Sequence, residues 1–110
     1  MNIIAVTACP SGVAHTFMAK KALERAAKEM GYIIKVETQG AMGIENEITK
    51  EDLLNADVAI LAIDAAIAKM SRFNALPTYE ASTKEALKDA KKLITKAIKR
   101  TKSPYGRVLK

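Results

Sequence analysis

The sequence predicts an α/β fold, a four-stranded parallel sheet covered by helices on both faces. Three observations point there. Short β-branched apolar runs recur along the chain, and amphipathic helical segments stand between them. The first run, at the N-terminus, is apolar without polar alternation, as in a strand buried on both faces. The 110 residues, 49% of them apolar, fit one domain with a hydrophobic core.

Residues 2–8, Asn-Ile-Ile-Ala-Val-Thr-Ala, read as the first strand. Cys9-Pro10-Ser11-Gly12 is a turn. A helix is expected from about Val13 to Met30, because Met18, Ala19, Ala22, Leu23, Ala26, Ala27 and Met30 fall on one side at 100° per residue. Lys20, Lys21, Glu24, Arg25 and Lys28 fall on the other, and Gly31 ends the helix. Tyr32 to Thr38 is a second strand, followed by a loop over 39–43. Thr49 with Asp52 has the form of a capping box and starts a short helix over 50–55. Asp57 to Asp64 is a third strand, and a loop or weak helix follows through Met70. Pro77 to Ala81 is a short fourth strand. Ser82 and Glu85 suggest a second capping box, opening one helix that aligns Ala86, Leu87, Ala90, Leu93, Ile94, Ala97 and Ile98. Residues 1–100 are read as the domain and 101–110 as a loose basic tail. The order of elements implies right-handed crossovers and a Rossmann-like or flavodoxin-like three-layer sandwich.

Composition narrows the function classes. No run reaches the ~18 apolar residues of a membrane span. The N-terminus has no basic leader, and the single cysteine cannot pair within the chain, so a reducing cytoplasmic setting is expected. The net charge is +6, concentrated late: from residue 84 onward there are ten Lys or Arg and two acids. No reading motif or row of stacking aromatics accompanies the basic residues, so no nucleic-acid partner is expected. A solvated helix face is the plain reading, and a docking surface for an acidic protein or a membrane is the other. One Cys and one His are too few soft ligands for a metal site, and no cofactor is expected.

Ligands of open α/β sheets bind beyond the carboxyl ends of the strands. Three loops occupy that edge: Cys9 to Thr16, Thr38 to Gly43, and Asp64 onward. Cys9 stands between a strand and a helix start, where unpaired N–H groups and the positive dipole end favour an anion and a thiolate. Gly12 permits close backbone approach, Ser11 and Thr16 offer hydroxyls, and Pro10 stiffens the turn. His15, the only histidine, is either a surface or helix-capping residue or assists a phosphoryl group. Low-molecular-weight tyrosine phosphatases also carry a cysteine after their first strand, in a C-x5-R loop. The arginine position is His15 here, which argues against hydrolysis as the main activity.

Cys9-Pro-Ser-Gly-Val-Ala-His-Thr-Phe-Met-Ala resembles the active-site loop of fructose-type enzyme IIB domains of the phosphoenolpyruvate-dependent sugar phosphotransferase system (PTS). Lys35-Val-Glu-Thr-Gln-Gly40 with Gly43-Ile-Glu-Asn-Glu47 is similar to the family's second loop. Ala56-Asp-Val, Asp64 and Arg72-Phe73 extend the resemblance, which covers roughly residues 1–100. The resemblance implies a phosphotransferase whose Cys9 accepts a phosphoryl group from a phosphohistidine on a IIA protein or domain. Cys9 would then pass it, through S-phosphocysteine, to a sugar bound by the membrane IIC permease. It also implies a cytoplasmic chain, peripheral to the inner membrane through IIC. Pro10, Ser11, Gly12, Val13, Ala14, His15 and Thr16 are the expected phosphate-binding set, through backbone N–H groups from about Ser11 to Thr16 and the Ser11, His15 and Thr16 side chains, while Gln39 and Gly40 either border the site from the second loop or form an ordinary flexible loop. Asp64 is read as a turn or capping residue, because a carboxylate beside phosphocysteine would be repelled. Arg72-Phe73 either docks a partner or anchors a loop, and packing of Phe73 is the preferred reading. Two other classes compete: a cysteine-dependent phosphatase acting alone, and a non-catalytic interaction module with a buried Cys9.

Overall fold

The structure is a computed structural model that describes residues 2–9, 13–40, 43–74 and 76–102. The chain runs β1 (Asn2–Ala8), α1 (Val13–Glu29), β2 (Ile33–Gly40), β3 (Gly43–Glu45), α2 (Lys50–Asn55), β4 (Val58–Ile63), a 3-10 turn (Met70–Phe73), β5 (Thr78–Ala81), α3 (Thr83–Lys88) and α4 (Ala90–Lys102).

The sheet corrects the expectation of four parallel strands. It has five strands in the order β3-β2-β1-β4-β5 and is mixed. Four are parallel, but β3 pairs antiparallel with the end of β2, Thr38 opposite Glu45 and Gly40 opposite Gly43. Of the segment read as a loop over 39–43, Gln39, Gly40 and Gly43 are strand residues, and 41–42 lie outside the described residues. Gly43 has φ +92°, a left-handed backbone that a side chain would strain.

β1 is the central strand, with Ala5 paired to Val36 on one side and Ile60 on the other. Its side chains alternate between two cores. Ile3 and Ala5 join α1, α3 and α4 on one face through Ala19, Leu23, Ala86, Leu93 and Ile94. Ile4 and Val6 join Ile48, Ala59, Leu61 and Phe73 on the other, with Leu53 of α2 packed against them. This placement follows from the strand order. The chain steps from β1 to β2 one way and from β2 to β4 the opposite way. Right-handed crossovers then require α1 and α2 on opposite faces.

The helix boundaries have local causes. α1 ends in a Schellman motif: the Tyr32 N–H donates to the Ala27 carbonyl (2.9 Å) and the Gly31 N–H to the Lys28 carbonyl (3.1 Å). Gly31 takes φ +80° there. The Thr49–Asp52 capping box is present in both directions. The single final helix expected after Ser82 is instead two. Asp89 leaves helical geometry (φ −160°), its N–H closing α3 on the Glu85 carbonyl and its carboxylate accepting the Lys92 N–H at the start of α4. α4 reaches Lys102, two residues into the expected tail.

Candidate functional site

The sheet's strand order reverses at β1: β2 lies on one side and β4 on the other. That is a topological switch point, where a crevice opens beyond the carboxyl ends of the strands. Cys9 follows β1 at this position and is half-buried. The next strand over enters its loop beside it, because the Asp64 N–H donates to the Ala8 carbonyl (2.9 Å).

Of the expected phosphate-binding set, Pro10, Ser11 and Gly12 lie outside the described residues. Val13, Ala14 and His15 form the backbone of α1's first turn. Thr16 is buried, and its carbonyl accepts the Thr7 hydroxyl (3.0 Å) within the core. This bond ties the start of α1 to the end of β1 and sets the helix N-terminus beside the cysteine edge.

Gln39 stands at the same edge, and its amide binds the neighbouring loop. Its Oε1 accepts the Ala68 N–H (2.8 Å), while its Nε2 donates to the Ala68 carbonyl (3.2 Å) and to Glu37 Oε2 (2.7 Å). Gln39 thus links β2 to the loop after β4. Gly40, exposed, is the last residue of β2 and pairs with Gly43 of β3. Asp64 behaves as the sequence reading preferred. Its carboxylate accepts the Thr83 N–H (3.1 Å) and the Thr83 hydroxyl, so it holds the first residue of α3.

The structure adds an ion pair that sequence reasoning did not find. Glu37 is fully buried in β2 and accepts a two-pronged contact from Arg72, Nη1 to Oε1 at 2.8 Å and Nη2 to Oε2 at 2.9 Å. The Ile48 N–H also donates to Glu37 Oε1 (2.8 Å). Burial pushes the Glu37 carboxyl pKa up, but the guanidinium, the Gln39 amide and the Ile48 N–H together hold it below the usual carboxylate range. The Glu37 carboxylate in turn raises the Arg72 pKa. Arg72 also donates from Nε to the Lys69 carbonyl (2.9 Å), and Lys69 pairs with Glu47. Phe73 is buried, so the Arg-Phe pair anchors the 3-10 turn to the sheet. The available signal was an acid inside a strand pattern, at position 37, with no basic residue near it to explain it except Lys35.

An open α/β sheet with a cysteine at its switch point, just ahead of a helix start, defines a class that can present a nucleophile to an anionic ligand. Residues 4–96 match the family described as "PTS system, Lactose/Cellobiose specific IIB subunit", and the chain belongs to this IIB family. It is 51% identical over 95 residues to the PTS system fructose-like EIIB component 2 of Escherichia coli K12, which covers 86% of this chain and 90% of that one. It is 44% identical over 97 residues to the fructose-specific EIIB'BC component of Xanthomonas campestris, covering 88% of this chain but 17% of that longer protein. A crystal structure of a domain of a fructose-specific IIABC component from Borrelia burgdorferi superposes with a TM-score of 0.83 at 48% identity, covering 87% and 91% of the two chains. Although the family description names lactose and cellobiose, these individual relatives are of fructose type, and IIB components are phosphotransferases of the PTS. No helix among the described residues is long and apolar enough to cross a membrane.

Proposed function

We propose that the chain is a fructose-type phosphocarrier that accepts a phosphoryl group on Cys9 and passes it to a sugar. The observation that carries this reading is Cys9 at the carboxyl end of the central strand, where the strand order reverses and α1 begins four residues later. Backbone N–H groups from about Ser11 to Thr16 cradle the phosphoryl oxygens. The donor is a phosphohistidine on a IIA protein or domain. The acceptor is a fructose-like sugar held by a membrane IIC permease, which brings the cytoplasmic carrier to the membrane.

Two in-line displacements account for the chemistry. In the first, the Cys9 thiolate attacks phosphorus. A P–S bond forms, the P–N bond breaks, and the electron pair stays on the imidazole nitrogen. In the second, a sugar hydroxyl oxygen attacks the same phosphorus. A P–O bond forms, the P–S bond breaks, the thiolate returns, and the hydroxyl proton passes to a base beside the sugar.

The test is the mass of the intact protein after incubation with a phosphoenolpyruvate-fed phosphoryl chain that includes a fructose-type IIA. Wild type should gain one phosphoryl group, about 80 Da, and Cys9→Ser should gain none while keeping its fold. Acceptance by Cys9→Ser would overturn the assignment. Rapid hydrolysis of an aryl phosphate by the chain alone would identify a phosphatase instead.

A further inference from the structure

Two large apolar side chains of the cysteine motif are not used by the core. Phe17 is 43% exposed and Met18 55% exposed, both on the second turn of α1. Phe17 carries two ammonium groups over its ring, Lys20 Nζ at 5.5 Å and Lys21 Nζ at 5.2 Å from the centroid. Such cation–π contacts hold the ring in place and set positive charge around an apolar centre. Beside it, Met18, Lys21 and Arg25 form one wall of a groove of about 470 Å³ between α1 and the α3–α4 junction, which Asp89 and the Glu29–Lys91 ion pair also line and where Leu87 is exposed at 37%.

The charge of this layer is one-sided. Residues 13–29 and 83–99, the helices of this face, contain ten Lys or Arg and four acids. Residues 2–9, 30–40, 43–74 and 76–82 contain four Lys or Arg and eight acids. The patch is also close to the cysteine. Thr16, adjacent to Phe17, has its carbonyl 3.0 Å from the Thr7 hydroxyl. Cys9 lies two strand residues beyond Thr7, so the Phe17 backbone is within about 15 Å of it. A protein interface of about 800 Å² per partner reaches roughly 16 Å from its centre. An interface of that size centred on Cys9 reaches the Phe17 backbone.

We propose that the second turn of α1 and the adjoining groove are the docking surface for the phosphoryl-donor protein, with Phe17 and Met18 as apolar anchors and Lys21 and Arg25 as a basic rim. The inference rests on the carrier reading of Cys9. The occupant is a protein whose phosphohistidine sits in an apolar face edged by acidic side chains, complementary to this layer.

The experiment measures initial rates of phosphorylation of the intact chain against the concentration of phosphorylated fructose-type IIA. In Phe17→Ala/Met18→Ala the half-saturating donor concentration should rise about tenfold or more, as for loss of interface anchors, while the rate at saturation stays within about twofold. Lys21→Glu/Arg25→Glu should move it the same way. Leu54→Ala, at a residue 79% exposed on α2, should leave it unchanged. If wild type is phosphorylated and both double variants keep the wild-type donor dependence, the docking surface is wrong and the carrier reading stands. If wild type is not phosphorylated by a confirmed phosphodonor, the carrier reading itself fails. A fall in saturated rate with unchanged half-saturation would assign Phe17 to the chemistry and overturn docking. Binding to phosphatidylglycerol–phosphatidylethanolamine vesicles that the variants lose, with donor dependence intact, would make the surface a lipid contact and overturn it as well.

Discussion

Glu37 and Arg72 are the residues whose pairing most constrains the site's surroundings. The carboxylate has no solvent to turn to, so its charge is tolerable only while the guanidinium fork and the Ile48 and Gln39 donors remain. Removing the cation alone leaves a buried charge uncompensated. Arg72→Met should therefore lower stability by about 3–5 kcal/mol, whereas Glu37→Gln/Arg72→Met should be more stable than Arg72→Met alone. Urea midpoints of the four members of the cycle check this. The pH dependence has a definite sign. Glu37's folded pKa is depressed, so its contribution is present above its unfolded pKa of about 4.3 and is lost as pH falls through the lower folded value. Glu37→Gln should lose less stability than wild type between neutral pH and about pH 3, measured by the same urea titrations. None of this was legible along the chain, because the partners are separated by 35 positions. The sequence offered an acid at an apolar strand position and an Arg-Phe pair, and only the fold joins them. The place of Cys9 between β1 and α1 was legible, because it depends on one local event, the passage from strand to helix.

At the scale of elements, local chemistry was readable and its interruptions were not. The Thr49–Asp52 box stands where its spacing put it, and Ser82 accepts the Glu85 N–H as expected. The apolar stripe from Ala86 to Ile98 continues across Asp89, so periodicity alone described one helix. The backbone breaks there because one residue serves both ends. The Asp89 N–H closes α3, and its carboxylate, at the N-cap of α4, accepts the Lys92 N–H at 3.1 Å. β3 escaped notice for the opposite reason: three residues, Gly43-Ile44-Glu45, are too few to display a period. Asp89→Ala should cost about 1 kcal/mol and Asp89→Asn only a few tenths, since asparagine also caps. Urea midpoints, with faster hydrogen exchange at the Lys92 amide in the alanine variant, would report it. Equal losses in both variants would mean that the carboxylate's charge beside the helix dipole, and not the cap hydrogen bond, is what matters.

For the whole molecule, the charge map changes meaning once the chain is folded. Along the sequence the basic residues gather after residue 84, which reads as a terminal feature. In the fold, α1 packs beside α3 and α4 and adds its own four Lys or Arg to theirs, so one helical layer is basic while the remaining described residues are net acidic. The layer also carries the start of α1, and with it the approach to Cys9. A field organised in this way steers an acidic partner and contributes more to encounter than to the final contact. The charges are exposed, and the screening length is about 8 Å at physiological ionic strength, so added salt should weaken the effect. The half-saturating concentration of phosphorylated IIA should therefore rise with ionic strength for wild type. Lys21→Glu/Arg25→Glu should show a much flatter dependence, because the opposing charges that salt screens have been removed from the rim. Phe17→Ala/Met18→Ala should keep the wild-type slope while starting from a weaker value, since it loses apolar contact and no charge. A wild-type rate indifferent to salt would mean that the basic layer faces away from the donor, and the apolar anchors would then have to account for recognition without it.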